Sequence, residues 1–350
     1  MAETGGILMW GEFPPGTQTG VSVCNEMVLR ILKESNIPVF IIDECAWGKN
    51  AIWKTFYYLR NYIKLIKTVF NHKIKIVYFV FPLSIGGLIK RFLIWPFLKI
   101  LSPRTILVGH LHRGDFKKFI QKSILNRVLL KSNFFFINRV IVLSPFFHSE
   151  VTRFSRNIEV LVVPNTSPIE SSVTNRKYIY TKNFVCISNY IKAKGIQELV
   201  ECFRFEELKT FRLIIFGETY EKTYLNKIKD LAPENVTVNG PVNRNELSHQ
   251  LNNYDCLIVP SWNEGQPIII LEAMSLGLPV ISTDVGDIPN MLGGDYPFLV
   301  KPQNISSLKE AILSFDKFEK KDDLSSMLYE RYTSYYSNIN FKKQVLKIFM

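Results

Sequence analysis

VPSWNEGQPIIILEAMSLGLPVISTDVGDIPNML, running from Val259 to Leu292, contains one whole strand–helix–strand unit. Cys256, Leu257, Ile258 and Val259 are continuously apolar, as a parallel strand covered on both faces should be. A loop of Pro260, Ser261, Trp262, Asn263, Glu264 and Gly265 follows. Pro267 fits the first turn of a helix, where the N–H that proline lacks would be unpaired anyway. That helix is expected to run to about Leu276, with Gly277 as its left-handed cap. Pro279 to Thr283 reads as the next strand, and Gly286 breaks it into another turn and helix start.

A charged loop at the carboxyl end of a strand is where open α/β sheets bind ligands, and the N-terminus of the following helix favours an anion. Two carboxylates frame this helix, Glu264 ahead of it and Glu272 inside it. Glu264 read alone is a loop charge. Glu272 lies within the apolar run Ile268 to Met274, where a charge needs a partner.

The stretch resembles the signature of the retaining glycosyltransferases of family four: a Glu, seven residues, a second Glu, a G-x-P-V-I strand and a G-x-x-P turn. Glu264, Glu272, Gly277, Pro279, Gly286 and Pro289 occupy the matching positions. The resemblance implies that Glu264 contacts hydroxyls of a donor sugar and that Glu272 binds the ribose of its nucleotide. Gln266 and Pro267, after Gly265, stand where many members carry Phe-Gly; the amides of Ile268 and Ile269 are then the nearest donors for a phosphate.

At 350 residues the chain exceeds what one hydrophobic core usually serves, so two domains of about 150 to 200 residues are expected. The cysteines Cys24, Cys45, Cys186, Cys202 and Cys256 are scattered and never form a C-x-x-C pair. They read as reduced, buried thiols of a cytosolic protein, with neither a metal site nor a disulfide frame. No signal peptide is expected, and the longest uncharged run, Ile76 to Ile89, has fourteen residues, short of the roughly 18 to 20 that a membrane span needs.

Charge is unevenly spread. From Lys49 to Val160 there are 20 Lys and Arg against 3 Asp and Glu, a net of +17 in a chain whose total is +12. The same region holds long aromatic and basic stretches, among them LIKRFLIWPFLKIL with Lys90, Arg91 and Lys99. A helix packed on a sheet with its charges in water would account for this. A face in the headgroup region of an anionic bilayer accounts for it better, because charge and apolar surface coincide. Interleaved aromatic and basic residues also suit nucleic acid, but no nucleic-acid-binding motif accompanies them, so no nucleic acid is expected.

The first half reads as a parallel α/β domain. Strands are expected at Ile7–Trp10, Pro38–Ile42, Ile74–Val80, Thr105–Leu111, Arg139–Ser144 and Glu159–Val163, the last ending at Pro164-Asn165. After the first comes Phe13-Pro14-Pro15-Gly16-Thr17-Gln18-Thr19-Gly20, a glycine-containing loop ahead of an amphipathic run, where backbone amides can approach a phosphate. It resembles the F-P-P…G-G loop of the same family, with Gly16 and Gly20 retained and Thr19 in place of the first paired glycine. The fourth strand closes on Val108-Gly109-His110-Leu111-His112-Arg113-Gly114-Asp115, similar to the family's strand-end motif. The resemblance places His112 on the sugar being transferred and His110 on the same face; Arg113 and Asp115 are expected to pair.

Thr166 to Tyr180 is polar and reads as an interdomain linker. A new strand from Phe184 to Asn189 then leads to Lys192-Ala193-Lys194-Gly195 and a helix, Ile196 to Phe203. This resembles the family's G-R-L-x-x-x-K-G, whose Arg and Lys bind the donor diphosphate. Lys194 matches the Lys, whereas Asn189 stands where the Arg belongs, with Lys192 or Arg113 as candidate substitutes. Strand–loop units at Arg212–Phe216 with Gly217, and Val236–Gly240 with Pro241 and Val242, follow; the resemblance sets the second beside the nucleotide base.

The expected architecture is α/β of the GT-B type, two Rossmann-like domains facing each other across a cleft. Residues 1–165 would take the acceptor and face the membrane, 166–180 link, 181–328 bind the donor, and 329–350 form a C-terminal helix returning to the first domain. The implied activity is retaining transfer of a sugar from a UDP- or GDP-sugar to a polyprenyl-diphosphate-linked saccharide or similar acceptor of a surface polysaccharide. Glu264, His112 and Lys194 would be catalytic, with no essential metal, in a cytoplasmic protein peripheral to the inner face of the cell membrane. A non-catalytic partner subunit of the same fold and a nucleotide-sugar epimerase are the other classes that the sequence admits.

Overall fold

The computed structural model describes residues 5–16, 19–45, 51–169, 179–243 and 246–350. The chain divides into two compact units, Met1–Asn165 with Ile339–Met350, and Thr166–Asn338. Thr17 and Gln18 of the glycine loop, and 170–178 of the expected linker, lie outside the described residues.

In the first unit, β1 (Ile7–Gly11), α1 (Gly20–Glu34), β2 (Val39–Asp43), α2 (Ala51–Asn71), β3 (Ile76–Val80) and α3 (Ile85–Leu101) alternate in turn. They continue as β4 (Ile106–Leu111), α4 (Phe116–Lys122), α5 (Ile124–Phe136), β5 (Arg139–Val142), α6 (Pro145–Phe154) and β6 (Glu159–Val162). Every strand pairing is parallel, in the order β2-β1-β3-β4-β5-β6. The order reverses between β1 and β3. Strand β1 is buried along its whole length because helices cover both faces of a parallel sheet. An aromatic cluster of Trp10, Phe79 and Trp95 fills the core under α3.

The second unit runs β7 (Asn183–Ile187), α7 (Ile196–Cys202), β8 (Arg212–Phe216), α8 (Lys222–Leu231), β9 (Val236–Asn239) and α9 (Leu247–Asn252). Next come β10 (Cys256–Val259), α10 (Ile268–Ser275), β11 (Val280–Thr283), α11 (Ile288–Leu292), β12 (Leu299–Val300), α12 (Ile305–Lys317) and α13 (Lys321–Arg331). The parallel sheet has the order β12-β11-β10-β7-β8-β9, so its direction switches between β7 and β10. The quoted stretch is β10–α10–β11, its three central elements fully buried apart from the loop and Ile269.

Two expectations are corrected. Pro267 is the N-cap of α10 (φ −67°, ψ 123°), not a residue of its first turn, and the helix starts at Ile268. The run Tyr329 to Met350 is not one helix. It is the end of α13, a π-helical turn at Tyr332–Tyr336, an extended Ser337 (φ −61°, ψ 152°) and α14 (Asn338–Phe349). The break follows from burial of Tyr332 and Tyr336, and the Thr166 hydroxyl donates to the Tyr336 carbonyl at 2.5 Å, taking an oxygen that a continuing helix would use.

Candidate functional site

Strand order brings the candidate donor residues together. The loops after β7, β8, β9 and β10 leave the carboxyl edge of adjacent strands, and the β7 and β10 loops flank the point where the order switches, the usual ligand position in open α/β sheets. There Lys194 Nζ donates to Glu264 Oε1 at 2.6 Å, and the Ser261 hydroxyl donates to the same oxygen at 2.7 Å. Both side chains of the ion pair are part-buried, at 29 % and 13 % exposure, so the pair is shielded from bulk water yet open to a ligand.

Backbone geometry holds Glu264 in place from both sides. Gly195 has φ +67°, and a Cβ there would stand 2.0 Å from the Pro260 carbonyl oxygen. Gly286 has φ +60°, and a Cβ there would stand 1.9 Å from the Glu264 carbonyl oxygen. Only glycine meets both demands, positive φ and no Cβ. Further bonds tie the loop down: Trp262 N–H to the Ala193 carbonyl at 2.9 Å, Asp287 N–H to the Gly265 carbonyl at 3.0 Å, and Thr283 hydroxyl to the Ser261 carbonyl at 2.6 Å.

Glu272 is 1 % exposed within α10. Gln266, buried, donates through Nε2 to Asp287 Oδ2 at 2.8 Å, which spends its side chain on the loop frame. The amides of Ile268 and Ile269 lie in the first turn of α10, where a helix offers its own N–H groups no acceptor. Asn189 Nδ2 donates to the Tyr220 hydroxyl at 3.3 Å, beyond Gly217. The Tyr190 hydroxyl donates to the Asn239 carbonyl at 2.6 Å, drawing the β9 end, with Pro241 and Val242 after it, towards the β7 loop. Lys192 lies 5.8 Å from the Trp262 ring, itself bonded to Glu198. Ser261, Asp287, Trp262 and Tyr220 were not singled out from sequence. For Ser261 the available signal was a hydroxyl three residues before Glu264 in one loop; the others needed the fold.

In the first unit Thr19 is the N-cap of α1, its hydroxyl accepting from Ser22 N–H at 3.2 Å in a reciprocal capping pair. This explains a threonine where a glycine would suit the loop resemblance, since capping favours a hydroxyl. Gly20 opens α1, and the Gly16 carbonyl accepts from the Cys45 thiol at 3.0 Å. His110 and His112 lie ring against ring at the β4 end, centroids 3.9 Å apart and planes tilted by 35°. Burial holds both imidazoles neutral, His112 pushed down to about 3 and His110 well below its ordinary range. Arg113 Nε donates to Asp115 Oδ1 at 2.8 Å in a two-bonded pair, so its guanidinium is already engaged.

The membrane-facing set needs correction. Arg91 is 6 % exposed, donates to Glu44 Oε1 at 2.9 Å and Oε2 at 2.6 Å, and lies 3.5 Å over the Trp10 ring. It is a core residue because it shares the buried stripe of α3 with Leu88, Trp95 and Leu98. Lys99 donates to the Thr105 carbonyl at 3.1 Å and to Asn138 Oδ1 at 2.9 Å, tethering α3 to the sheet. Lys90 rests 3.6 Å over the Tyr58 ring on the outer side. What α3 turns outward is apolar: Ile89, Phe92, Leu93, Phe97 and Ile100, the last at 78 % exposure. Trp53, Phe56 and Leu59 on α2, and Ile124, Leu125 and Val128 on α5, are also exposed. From 51 to 136 the one acidic residue is Asp115. No helix among the described residues is long and apolar enough to cross a membrane.

Two Rossmann-like units, each a six-stranded parallel sheet with a ligand edge at its carboxyl ends, define the GT-B class. A sucrose-phosphate synthase of Thermosynechococcus elongatus shares that fold over 98 % of both chains, with a TM-score of 0.78 at 14 % identity. Residues 181–315 match the family described as Glycosyl transferases group 1. The matched stretch holds Asn189, Lys194, Glu264 and Glu272. A Bacillus subtilis glycosyltransferase named for teichuronic acid biosynthesis is 32 % identical over 146 residues, which span 40 % of this chain and 36 % of that protein. An uncharacterized glycosyltransferase of Methanocaldococcus jannaschii is 22 % identical over 94 % of this chain and 93 % of its own.

Proposed function

We propose that the chain is a retaining glycosyltransferase that takes its sugar from a UDP- or GDP-sugar and passes it to a polyprenyl-diphosphate-linked saccharide in surface polysaccharide synthesis. The observation that carries this reading is the Lys194–Glu264 pair at the switch point of the second sheet, inside the matched domain. The donor diphosphate would meet Lys194 and the amides of Ile268 and Ile269. Glu264 would hold the sugar hydroxyls, and Glu272 the ribose. As the bond from the anomeric carbon to the diphosphate breaks, the leaving oxygen takes the acceptor hydroxyl's proton. The new bond forms on the same face, giving retention. Lys194 stabilises the charge that develops on the leaving group, where a preorganised cation lowers the barrier most. No step requires a metal.

The apolar, acid-poor face of α2, α3 and α5 supports peripheral attachment to an anionic inner membrane surface, where the acceptor's lipid resides. Teichuronic acid biosynthesis is the context named for the Bacillus relative. Asn189, bonded to Tyr220 where a second cation would serve the diphosphate, favours one competing reading, a non-catalytic partner of the same fold.

The test supplies a panel of UDP- and GDP-sugars with and without lipid-linked saccharide, and reads nucleotide release together with the product's mass and anomeric configuration. Release that depends on acceptor, with the α or β configuration of the donor kept, supports the transferase. Donor binding without release under every pairing supports the non-catalytic reading.

A further inference from the structure

The first unit contains a second cluster of chemically capable side chains. Cys24 on α1, His110 on β4 and His112 just after β4 each offer a ligand atom, all within 4.8 Å of one another. Cys24 and His110 are buried, and His110 Nε2 and His112 Nε2 are buried without a hydrogen-bond partner.

A chain of hydrogen bonds determines which nitrogen of His110 is bare. Asn25 Nδ2 donates to the Glu12 carbonyl at 2.9 Å, so Asn25 Oδ1 is left as an acceptor. The Tyr78 hydroxyl donates its one proton to that oxygen at 3.2 Å. The remaining contact, 2.7 Å between Tyr78 Oη and His110 Nδ1, then requires that His110 carry its proton on Nδ1. His110 Nε2 is therefore a buried, unprotonated lone pair on a residue clustered with a second imidazole and a thiol. Each buried polar atom left unsatisfied costs about 1 to 3 kcal/mol, and native structures seldom keep two together without an occupant. His110 is 1 % exposed, which keeps bulk water from satisfying this nitrogen.

The geometry points to a three-ligand site for a thiophilic metal ion, Zn2+ by chemistry, formed by Cys24 Sγ, His110 Nε2 and His112 Nε2. One thiolate and two imidazoles are ligands of the zinc type, not the oxygen set that Mg2+ or Ca2+ takes. Ligand atoms of a tetrahedral zinc site stand about 3.5 Å apart, and these three lie within 4.8 Å of one another, so a small contraction of the side chains closes the set. Tyr78 supplies the outer hydrogen bond that orients a metal-bound histidine. Binding would deprotonate the Cys24 thiol, its proton leaving to solvent as the sulfur joins the metal. A fourth position stays open for water or a ligand. The scattered cysteines gave no sign of this, because a single thiol joins histidines from another element.

The experiment titrates the full chain, stripped by a chelator and carrying Cys45→Ser to remove the half-exposed thiol, with Co2+ and then Zn2+. One equivalent of Co2+ should develop a near-ultraviolet thiolate-to-cobalt band that Zn2+ abolishes. Cys24→Ala should lose the band, and Tyr78→Phe, with every ligand intact, should bind about 10- to 100-fold more weakly. Melting without metal verifies that both variants are folded. Absence of the band, or a band that persists in Cys24→Ala, overturns the site. A Tyr78→Phe affinity equal to that of the parent overturns the assigned tautomer and orientation. The readout uses neither donor nor acceptor, so it stands apart from the transferase reading.

Discussion

Lys194 and Glu264, seventy residues apart in the chain, form a 2.6 Å ion pair across the two strand ends that bracket the switch point of the second sheet. On the proposed reading, a donor diphosphate would compete with Glu264 for the lysine. Binding a donor would then release the carboxylate to the sugar hydroxyls while the cation moves to the leaving group.

Lys194→Ala should reduce turnover by a factor on the order of 100 to 1,000, the range seen when one preorganised donor to a developing charge is lost. Lys194→Arg should recover part of this, since the two cations differ in reach and shape. Because Glu264 is the lysine's direct partner, the Lys194→Ala and Glu264→Ala losses should not add, with a coupling of about 0.5 to 3 kcal/mol in a double-mutant cycle on kcat/KM. Additive losses would show that the pair is incidental.

Glu272→Gln should weaken nucleotide binding about 10- to 100-fold by calorimetry, since a bond to a charged group contributes about 1.5 to 3 kcal/mol. The substitution keeps the volume of a side chain that is 1 % exposed, so its melting temperature should move less than its affinity. An unchanged Kd for UDP and GDP alike would remove Glu272 from the ribose.

Gly286→Ala should both destabilise the second unit and impair turnover, because its Cβ would meet the Glu264 carbonyl at 1.9 Å in a backbone at φ +60°. Strain of this kind costs on the order of 1 to 3 kcal/mol, about 2 to 10 °C in Tm for a unit of this size. Gly294→Ala, where a Cβ meets nothing within 4 Å, is the matched control and should melt as the parent does.

Phe97→Glu with Ile100→Glu should release the protein from anionic vesicles while leaving its melting temperature in place, since both side chains are exposed. Arg91→Ala should do the reverse, costing about 3 to 5 kcal/mol of stability by stranding Glu44 in a part-buried pair with side-chain exposures of 7 % and 17 %. Vesicle sedimentation beside thermal melting separates the two. Attachment that survives Phe97→Glu with Ile100→Glu would place the contact elsewhere.

Most of the secondary structure, and the Pro260–Gly265 loop at the end of β10, can be read from local sequence. Short, continuously apolar runs such as Cys256–Val259, bounded by turn residues, read as strands buried on both faces, and Gly277 and Gly286 mark turns because side chains are excluded there. The stripe of α3 also held the correct reading of Arg91, which recurs with Leu88, Trp95 and Leu98 at helical spacing; its acceptor, Glu44, was not visible. Partner choice belonged to the tertiary structure. Periodicity is local, reporting which face of an element is buried but not which element lies against it. Lys194 meets Glu264 only because β10 adds beside β7 instead of beyond β9, and Cys24 comes near His110 only because the fold brings α1 and β4 together. Tyr332 and Tyr336, buried where one straight C-terminal helix was expected, break that helix for the same reason: packing overrode a local helical preference.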